Sequence, residues 1–139
     1  MTKKKKLIKF KPPQKTEVKI NTNLNPPMIL DEKPSISLKY IDLGFKSFHD
    51  LRDGHNLKKF DTFLKKILAS PNWSYVFNAY TKKPSNGAKS KQKIQSLGFD
   101  YTQIEMFHLR VSDKFRVHGF LSDYRFKLVW IDPNHEIDD

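Results

Sequence analysis

The sequence predicts an α+β fold, in which an N-terminal strand and one or two helices pack on a C-terminal antiparallel β-meander. The meander is indicated at residues 105–139, where three short runs rich in Val, Phe, Leu and Trp are separated by two Ser-Asp pairs. A helix is indicated at residues 57–68, because apolar residues recur there at helical spacing. The first strand is indicated at residues 36–42, where apolar and polar residues alternate.

The first 34 residues differ in composition from the rest of the chain. They hold five of the eight prolines, and nine lysines against three carboxylates. This composition is typical of an extended, disordered basic arm. We therefore divide the chain into a basic, Pro-rich arm over residues 1–34 and an α+β domain over residues 35–139. The arm is an electrostatic tether for nucleic acid, a solubilising tail, or a segment that becomes ordered only on a partner.

Within the domain, the strand at residues 36–42 leads through a polar bend to the helix at 57–68. Pro71 ends that helix, and its aromatic and leucine stripe is expected to face the core. The period of residues 72–80 fits either a second short helix or a strand. This part of the chain therefore predicts one helix and leaves the second element open.

A basic segment connects these elements to the meander. Residues 81–93 contain five lysines together with Pro84 and Gly87, and we predict a solvent-exposed loop there. Its Lys89 and Lys91 are candidates for gripping phosphates. After this loop, three apolar residues are expected to return to the core: Ile94, Leu97 and Phe99.

The meander separates two kinds of side chain by strand parity, because successive side chains of a strand point to opposite faces. One predicted face is apolar and carries Phe107, Leu109, Val111, Phe115, Val117, Phe126, Leu128 and Trp130. The other carries seven basic or imidazole groups: His108, Arg110, Lys114, Arg116, His118, Arg125 and Lys127. Like charges on paired strands repel each other. Such a face is either simply solvated or, as the number of cations favours, a binding surface for an anion.

Composition points to the same class of ligand. The formal net charge is +11 and the pI is about 9.8, so a polyanion is the expected partner. Nucleic acid is favoured over a membrane, because no long apolar run or basic amphipathic helix is present. The absence of cysteine excludes a disulfide framework, a Cys-ligated zinc site and thiol catalysis, and it fits the cytoplasm. No metal-ligand spacing or Gly-rich phosphate loop is found, so no metal or cofactor is expected.

Two motifs carry a resemblance to a known family. Residues 110–117 (RVSDKFRV) and the closing residues 132–135 (DPNH) resemble the turn, arginine strand and tail of RelE/YoeB-like ribonuclease toxins, within the RelE/ParE superfamily of type II toxin–antitoxin systems. The order of elements is also similar. The resemblance implies that Arg116 contacts the scissile phosphate and that His135 acts as general acid. The chain departs from the family where Glu136 replaces a terminal tyrosine, and Glu105 is poorly spaced to be the glutamate base of some members.

The chemistry of metal-independent RNA cleavage fits these residue types. The 2′-hydroxyl attacks the adjacent phosphorus, which needs a base, positive charge on the phosphorane and an acid at the leaving oxygen. The sequence therefore gives Arg116, Arg110, His135 and His118 as catalytic candidates, since two arginines can hold a phosphate and histidines transfer protons near neutral pH. Further contacts to RNA are expected from the remaining cations and one aromatic ring: Lys114, Lys127, Arg125, Lys89, Lys91 and Tyr124.

Three functions compete at this point. The first is a cytoplasmic mRNA interferase toxin, an endoribonuclease that cuts ribosome-bound mRNA and is held inactive by a cognate antitoxin protein. The second is a non-catalytic nucleic-acid-binding protein that uses the same basic face. The third is a ParE-like toxin that acts on a protein target such as gyrase. None of the three requires a membrane.

Overall fold

The computed structural model describes residues 30–137, so most of the predicted basic arm lies outside the described residues. The fold class is confirmed as α+β, with three α-helices and a five-stranded mixed sheet in the described part of the chain. A 3-10 helix over Phe48–His55 precedes the first α-helix. The helices are α1 (Asn56–Ala69), α2 (Trp73–Ala79) and α3 (Ala88–Ser96). The strands are β1 (Ile36–Ser37), β2 (Lys83–Pro84), β3 (Phe107–Arg110), β4 (Arg116–Ser122) and β5 (Arg125–Asp132).

The strands lie in the order β1-β5-β4-β3-β2. The predicted antiparallel meander is confirmed as β3, β4 and β5, and β2 adds an antiparallel strand beside β3. The first strand pairs with β5 in parallel, and it is shorter than the predicted range of 36–42 because the chain turns after Leu38, whose carbonyl accepts the Ile41 amide. The chain then returns to β5, where the Asp42 amide donates to the Val129 carbonyl at 2.8 Å.

The helix boundaries follow from local signals. Helix α1 confirms the predicted helix and the inward position of Phe60, Phe63 and Ile67. The leucine part of the predicted stripe is wrong at both ends, because Leu57 and Leu68 are exposed. The helix ends where Ser70 adopts an extended conformation before Pro71. Residues 72–80, which the sequence left open, form α2 because the Asn72 side chain caps it and accepts the Tyr75 amide at 2.9 Å.

The predicted basic loop at residues 81–93 is wrong at two places, because Lys83–Pro84 forms β2 and α3 begins at Ala88. Between Gly87 and Gly98 the chain has no helix-breaking residue, and Ala, Lys and Gln are good helix formers. Ile94, on the inner side of α3, is 1 % exposed and anchors the helix on the sheet. Leu97 and Phe99 pack against the same core, so the predicted return of these three residues is confirmed.

Helices α1 and α2 cover the first face of the sheet. Aromatic rings join the two layers, with Phe60 against Phe115 at 6.0 Å between ring centroids and Phe77 against Phe107 at 5.2 Å. The buried residues of this face include most of the predicted apolar set, namely Phe107, Leu109, Phe115, Val117, Phe126 and Leu128. The predicted parity is therefore confirmed for these strands up to Leu128.

A β-bulge changes that parity in β5. His118 pairs with Trp130, but the next residue, Gly119, pairs with Leu128, so the ladder skips one residue of β5. Trp130 consequently shares a face with His118, and the prediction that it lies with Phe126 and Leu128 is wrong. The extra residue turns the Trp130 ring to the second face of the sheet.

The second face is divided into two halves that differ in what covers them. One half, which we call the covered half, consists of Met106, Phe120 and Trp130 beneath α3 and Ile137. The other half, which we call the open half, consists of His108, Arg110 and Arg116. These residues lie on the same face of β3 and β4, next to the covered half.

The carboxylate of Asp42 connects the elements of the covered half by hydrogen bonds. Asp42 accepts hydrogen bonds from Lys93 of α3 at 2.8 Å and from the Trp130 indole at 3.2 Å. The bond from Lys93 and its charge, together with the bond from Trp130, lower the pKa of the Asp42 carboxyl against the opposing effect of its partial burial. Helix α3, the loop after β1 and strand β5 are thus joined at one point.

Among the helices of residues 30–137, none has the length and apolar character that crossing a bilayer requires.

Candidate active site

The sheet register builds the open half from three neighbouring strands. His108 of β3 lies opposite His118 of β4, and Arg110 lies opposite Arg116. Arg116 in turn lies opposite Asp132 of β5. The sequence parity predicted correctly that the histidines and arginines of β3 and β4 share one face. The structure adds a carboxylate to that face.

Beneath this surface lies a buried chain of hydrogen bonds. The Ser85 hydroxyl lies 2.8 Å from His108 Nδ1 and 3.1 Å from His118 Nδ1. His118 Nε2 lies 3.2 Å from the Asp132 carboxylate. His118 and Asp132 are completely buried and Ser85 is 1 % exposed, whereas His108 is partly exposed. One continuous chain therefore connects the surface imidazole to an interior carboxylate.

With both rings neutral, these bonds can run in only one direction. His118 must keep its proton on Nε2, because a lone pair there would face the lone pairs of the Asp132 carboxylate. Its Nδ1 then accepts from the Ser85 hydroxyl, and the Ser85 oxygen accepts from His108 Nδ1–H. The lone pair of His108 is consequently on Nε2, for which residues 30–137 provide no hydrogen-bond partner. The buried chain thus fixes the tautomer that makes His108 a base.

The surroundings of His108 keep its ring uncharged. Burial lowers the pKa of His108 to about 4, with further contributions from four cationic or imidazole neighbours. These neighbours are His118, Arg116, His135 and Lys83. His108 is therefore neutral at pH 7, which is the state in which it can accept a proton.

Asp132 also fixes the tail that follows β5. Its carboxylate accepts the amide of Glu136 at 2.7 Å and that of Ile137 at 2.9 Å. Burial alone would raise the pKa of the Asp132 carboxyl, but the hydrogen bonds from His118 and from these two amides outweigh it, and the pKa is lowered. The carboxylate stays ionised, and it holds the tail against the sheet.

That anchoring places His135 above the open half. The residue is exposed, has a left-handed backbone with φ of 55°, and lies between Asp132 and the buried Ile137. Its ring centroid is 6.3 Å from that of His108. The tail thus supplies a second, accessible imidazole next to the first, where the resemblance implies a general acid.

The two arginines supply positive charge beside the histidine pair. Arg116 Nη1 donates to the carbonyls of Ser112 at 2.8 Å and Asp113 at 3.1 Å, so the turn between β3 and β4 orients the guanidinium. Within residues 30–137, no acceptor takes a hydrogen bond from its Nη2 or Nε. The Nε–Nη2 edge of the guanidinium is therefore available to a phosphate. Arg110 lies across the strand pair and makes a surface ion pair with Asp113 at 3.3 Å. Partial burial and the charge of Arg110 lower the pKa of Arg116, as expected where two cations share a site.

The structure corrects the predicted role of His118. Its ring is completely buried, so it does not reach a substrate, and its contacts are with Ser85 and Asp132. His108 occupies the accessible position instead. The predicted direct part of His118 in proton transfer to RNA is therefore wrong, and its place in the site is to support His108.

Other predicted phosphate ligands are not brought to this site. Arg125 and Tyr124 are exposed at the opposite end of the β4–β5 hairpin, about 20 Å from Arg116 at the usual rise per residue. Lys127 is 6 % exposed and opposite Phe120, so its predicted place on an open cationic face is wrong. Arg125 and Tyr124 are thus separated from Arg116 by the length of the hairpin, and Lys127 is separated from the open surface by its burial.

The remaining predicted lysines are exposed. Lys114 lies in the turn that joins β3 to β4, two residues from Arg116. Lys89 and Lys91 lie on α3, where their ammonium groups sit 5.4 Å from the ring centroids of Phe45 and Tyr101 respectively. They extend the positive charge along α3 without joining the histidine pair.

Three residues of the site were missed as functional candidates. His108 was placed on the correct face, and its position opposite His118 could have identified it. Asp132 begins the DPNH motif, but only the register shows that its carboxylate turns inward. Ser85 carries no sequence signal, because nothing in the segment around it indicates a contact with residues 23 and 33 positions away.

Comparison with known proteins found no match. No protein-family model, curated protein or solved structure is significantly similar to this chain.

Proposed function

We propose that this protein is a metal-independent endoribonuclease of the RelE/YoeB type, the toxin of a toxin–antitoxin pair, which cleaves mRNA on the ribosome. The observation that carries the proposal is the pairing of a neutral, tautomer-fixed His108 with the exposed His135, 6.3 Å apart between ring centroids, beside Arg116 and Arg110. A base, an acid and fixed positive charge are the three elements that this reaction needs. The RVSDKFRV and DPNH motifs support the family resemblance.

The geometry supports a division of labour among these groups. His108 Nε2 takes the proton of the 2′-hydroxyl, and the oxygen attacks the adjacent phosphorus. Arg116, with Arg110 beside it, neutralises the charge that grows on the phosphorane oxygens. His135, in its protonated form, donates a proton to the departing 5′-oxygen. The products are a 2′,3′-cyclic phosphate and a 5′-hydroxyl.

The same open half offers a surface for the partner that regulates such a toxin. An antitoxin segment with carboxylates opposite Arg110 and Arg116 would block the phosphate position by charge complementarity. The exposed lysines of α3 and of the β3–β4 turn extend the attraction to a polyanion. An RNA backbone supplies negative charge that complements this surface, and the resemblance to RelE/YoeB-like toxins favours ribosome-bound mRNA as the substrate.

The test is an mRNA cleavage assay with and without ribosomes. Wild type is compared with His108→Gln, His135→Gln and Arg116→Ala, and each variant has a matched control outside the site. Arg125→Ala removes an exposed arginine from the far end of the same hairpin, and His49→Gln removes an exposed imidazole. We expect cleavage to fall by roughly 100-fold or more in each site variant, the usual effect of losing a general acid–base group or a charge-stabilising donor.

Each alternative function gives a different outcome. Intact RNA in all samples, with tight and strongly salt-dependent RNA binding, would replace the proposal with a non-catalytic nucleic-acid-binding protein. Intact RNA together with inhibited DNA supercoiling would replace it with a ParE-like action on gyrase. Cleavage that survives all three site variants would place the active site elsewhere.

A further inference from the structure

The buried series of hydrogen bonds below His108 contains more side chains than are needed to fix the tautomer of His108. A single carbonyl could accept from His108 Nδ1 and hold the same tautomer. Here the acceptor is the Ser85 hydroxyl, which is both donor and acceptor and lies within 3.1 Å of a second imidazole. That second ring, His118, lies with its Nε2 3.2 Å from the ionised, buried carboxylate of Asp132. An uninterrupted path of exchangeable protons thus runs from the surface to Asp132.

Counting protons shows that this path has two complete states. In the first, both rings are neutral, and every bond points from His108 through Ser85 and His118 towards Asp132. In the second, one more proton is present and the bonds between the rings are reversed. His118 is then an imidazolium that donates to both Ser85 and Asp132, and His108 is a neutral ring protonated on Nε2 that accepts from Ser85. Both states satisfy every donor and acceptor between His108 Nδ1 and the Asp132 carboxylate.

We propose that Ser85 is a proton relay, which passes the proton taken up by His108 to the buried His118–Asp132 pair. His108 Nε2 gains a proton from solvent or substrate, and its Nδ1–H bond breaks as that proton moves to Ser85 Oγ. The original hydroxyl proton of Ser85 moves at the same time to His118 Nδ1. Ser85 and His108 finish neutral, and the single positive charge finishes on His118 beside the Asp132 carboxylate. The relay itself stands on the buried geometry, and only the 2′-hydroxyl as proton source rests on the proposed function.

The charges around the two rings favour this direction of transfer. The groups that face His108 from every neighbouring element are cationic or imidazole: Lys83 of β2, Arg116 and His118 of β4, and His135 of the tail. A positive charge left on His108 would be repelled by the cations Lys83 and Arg116, and none of the four groups is an anion that could offset it. His118 instead has the Asp132 carboxylate at 3.2 Å, in an interior where a close opposite charge is felt most strongly. A ring that resists charge can therefore still act as a base, because the charge does not stay on it.

Nitrogen-15 NMR of the imidazole rings tests the relay in the full chain without RNA, since it reports the tautomer and the charge of each ring. As the pH is lowered, we expect the first proton entering this group to make His118 the imidazolium, while His108 changes from the Nδ1–H to the Nε2–H neutral tautomer. A His108 ring that becomes the imidazolium while His118 stays neutral would overturn the proposal. This measurement on wild type needs no variant to fold.

Two substitutions sharpen the test. Ser85→Ala removes the hydroxyl and should uncouple the rings, so that the tautomer of His108 no longer follows the charge on His118, whereas Ser85→Thr should retain the coupling. Coupling that persists in Ser85→Ala contradicts the relay.

In the cleavage assay, Ser85→Ala should lower the rate by about 10-fold to 100-fold and shift its pH profile, and Ser85→Thr should restore both. Coupled rings in a protein that cuts no RNA would leave the relay intact and refute the ribonuclease alone.

Discussion

The two halves of the second sheet face are made from the same three strands and differ in what lies above them. In the covered half, Phe120 and Trp130 pack under α3 and are at most 2 % exposed. In the open half, Arg110 is exposed and His108 is partly exposed. Covering one half creates a second core, and leaving the other open exposes the reactive groups. The covered half should therefore carry stability, and the open half should carry activity.

The boundary between the halves passes through His118 and Asp132. His118 contacts Trp130 on one side, with ring centroids 5.8 Å apart, and His108 on the other at 5.2 Å. Asp132 accepts the amide of Ile137, which belongs to the second core, and a bond from His118, which supports the open half. The two halves share these supports, so the separation of stability and activity should fail only at the boundary.

The largest effect on stability is expected inside the covered half. Phe120→Ala removes a completely buried ring that contacts Tyr40 and Phe99, and should lower the free energy of unfolding by about 4 kcal/mol. Urea denaturation followed by circular dichroism measures it. Tyr124→Ala, in the turn of the same hairpin and 51 % exposed, is the control and should change stability by less than about 0.5 kcal/mol. Equal effects in the two variants would contradict the existence of a second core.

A boundary variant should weaken both halves. Asp132→Asn keeps the shape but directs an amide donor towards groups that already donate, so at least one buried donor loses its partner. We expect a loss of about 3 kcal/mol in unfolding free energy, together with a fall in RNA cleavage. Asp123→Asn, an exposed carboxylate in the β4–β5 turn, is the matched control. If Asp132→Asn keeps full stability and full cleavage, the boundary does not lie where we place it.

The bulge that divides the face can be tested at Gly119. A Cβ there would lie 2.2 Å from the Lys127 carbonyl and 2.7 Å from the Phe126 ring, so the strands must separate to admit it. Gly119→Ala should cost about 2 kcal/mol through overpacking. Gly98→Ala has open space around its Cβ but a φ of 91°, and it isolates the cost of backbone strain alone. Thermal unfolding compares the two, and a smaller loss at Gly119 than at Gly98 would show that the close approach is relieved easily.

The smallest effect is in the pH dependence of stability. Because the pKa of Asp132 is lowered in the folded state, the unfolded chain binds more protons than the folded chain in the pH range just below the ordinary carboxyl value of 3.8. The stabilisation is therefore complete above that pH and is lost as the pH falls through the lower folded value. Urea unfolding below pH 4 should show a steeper decline for wild type than for Asp132→Asn. Parallel declines would indicate that other carboxyls account for the acid sensitivity.

The spacing of apolar residues along the sequence predicted the helices and strands in which one side chain after another follows a regular period. Helix α1 and the parity of β3 and β4 were visible because apolar residues recur at the period of the element in each of them. The bulge at Gly119 was not, since it adds one residue without leaving a compositional mark, and it reverses the face of Trp130. Helix α3 was hidden by its lysines, because only Ile94 and Ser90 of its residues are buried.

The site was predictable to the extent that it follows from strand parity. Arg110, Arg116 and the imidazoles of β3 and β4 were assigned to one face, but parity does not say which ring is covered. His118 is buried because Trp130, Ser85 and Asp132 surround it, and these three come from distant parts of the sequence. The exchange of His118 for His108 as the accessible ring is therefore a tertiary effect that no local pattern contains.

We propose that the open half cuts RNA through attack by the 2′-hydroxyl, and this attack leaves characteristic termini on the two fragments. Purified protein would be incubated with a defined mRNA on ribosomes, and the termini of the fragments would be identified. We predict a 2′,3′-cyclic phosphate on the upstream fragment and a 5′-hydroxyl on the downstream fragment, with neither produced by His108→Gln. Fragments with a 3′-hydroxyl and a 5′-phosphate, or RNA that stays intact, would contradict the claim.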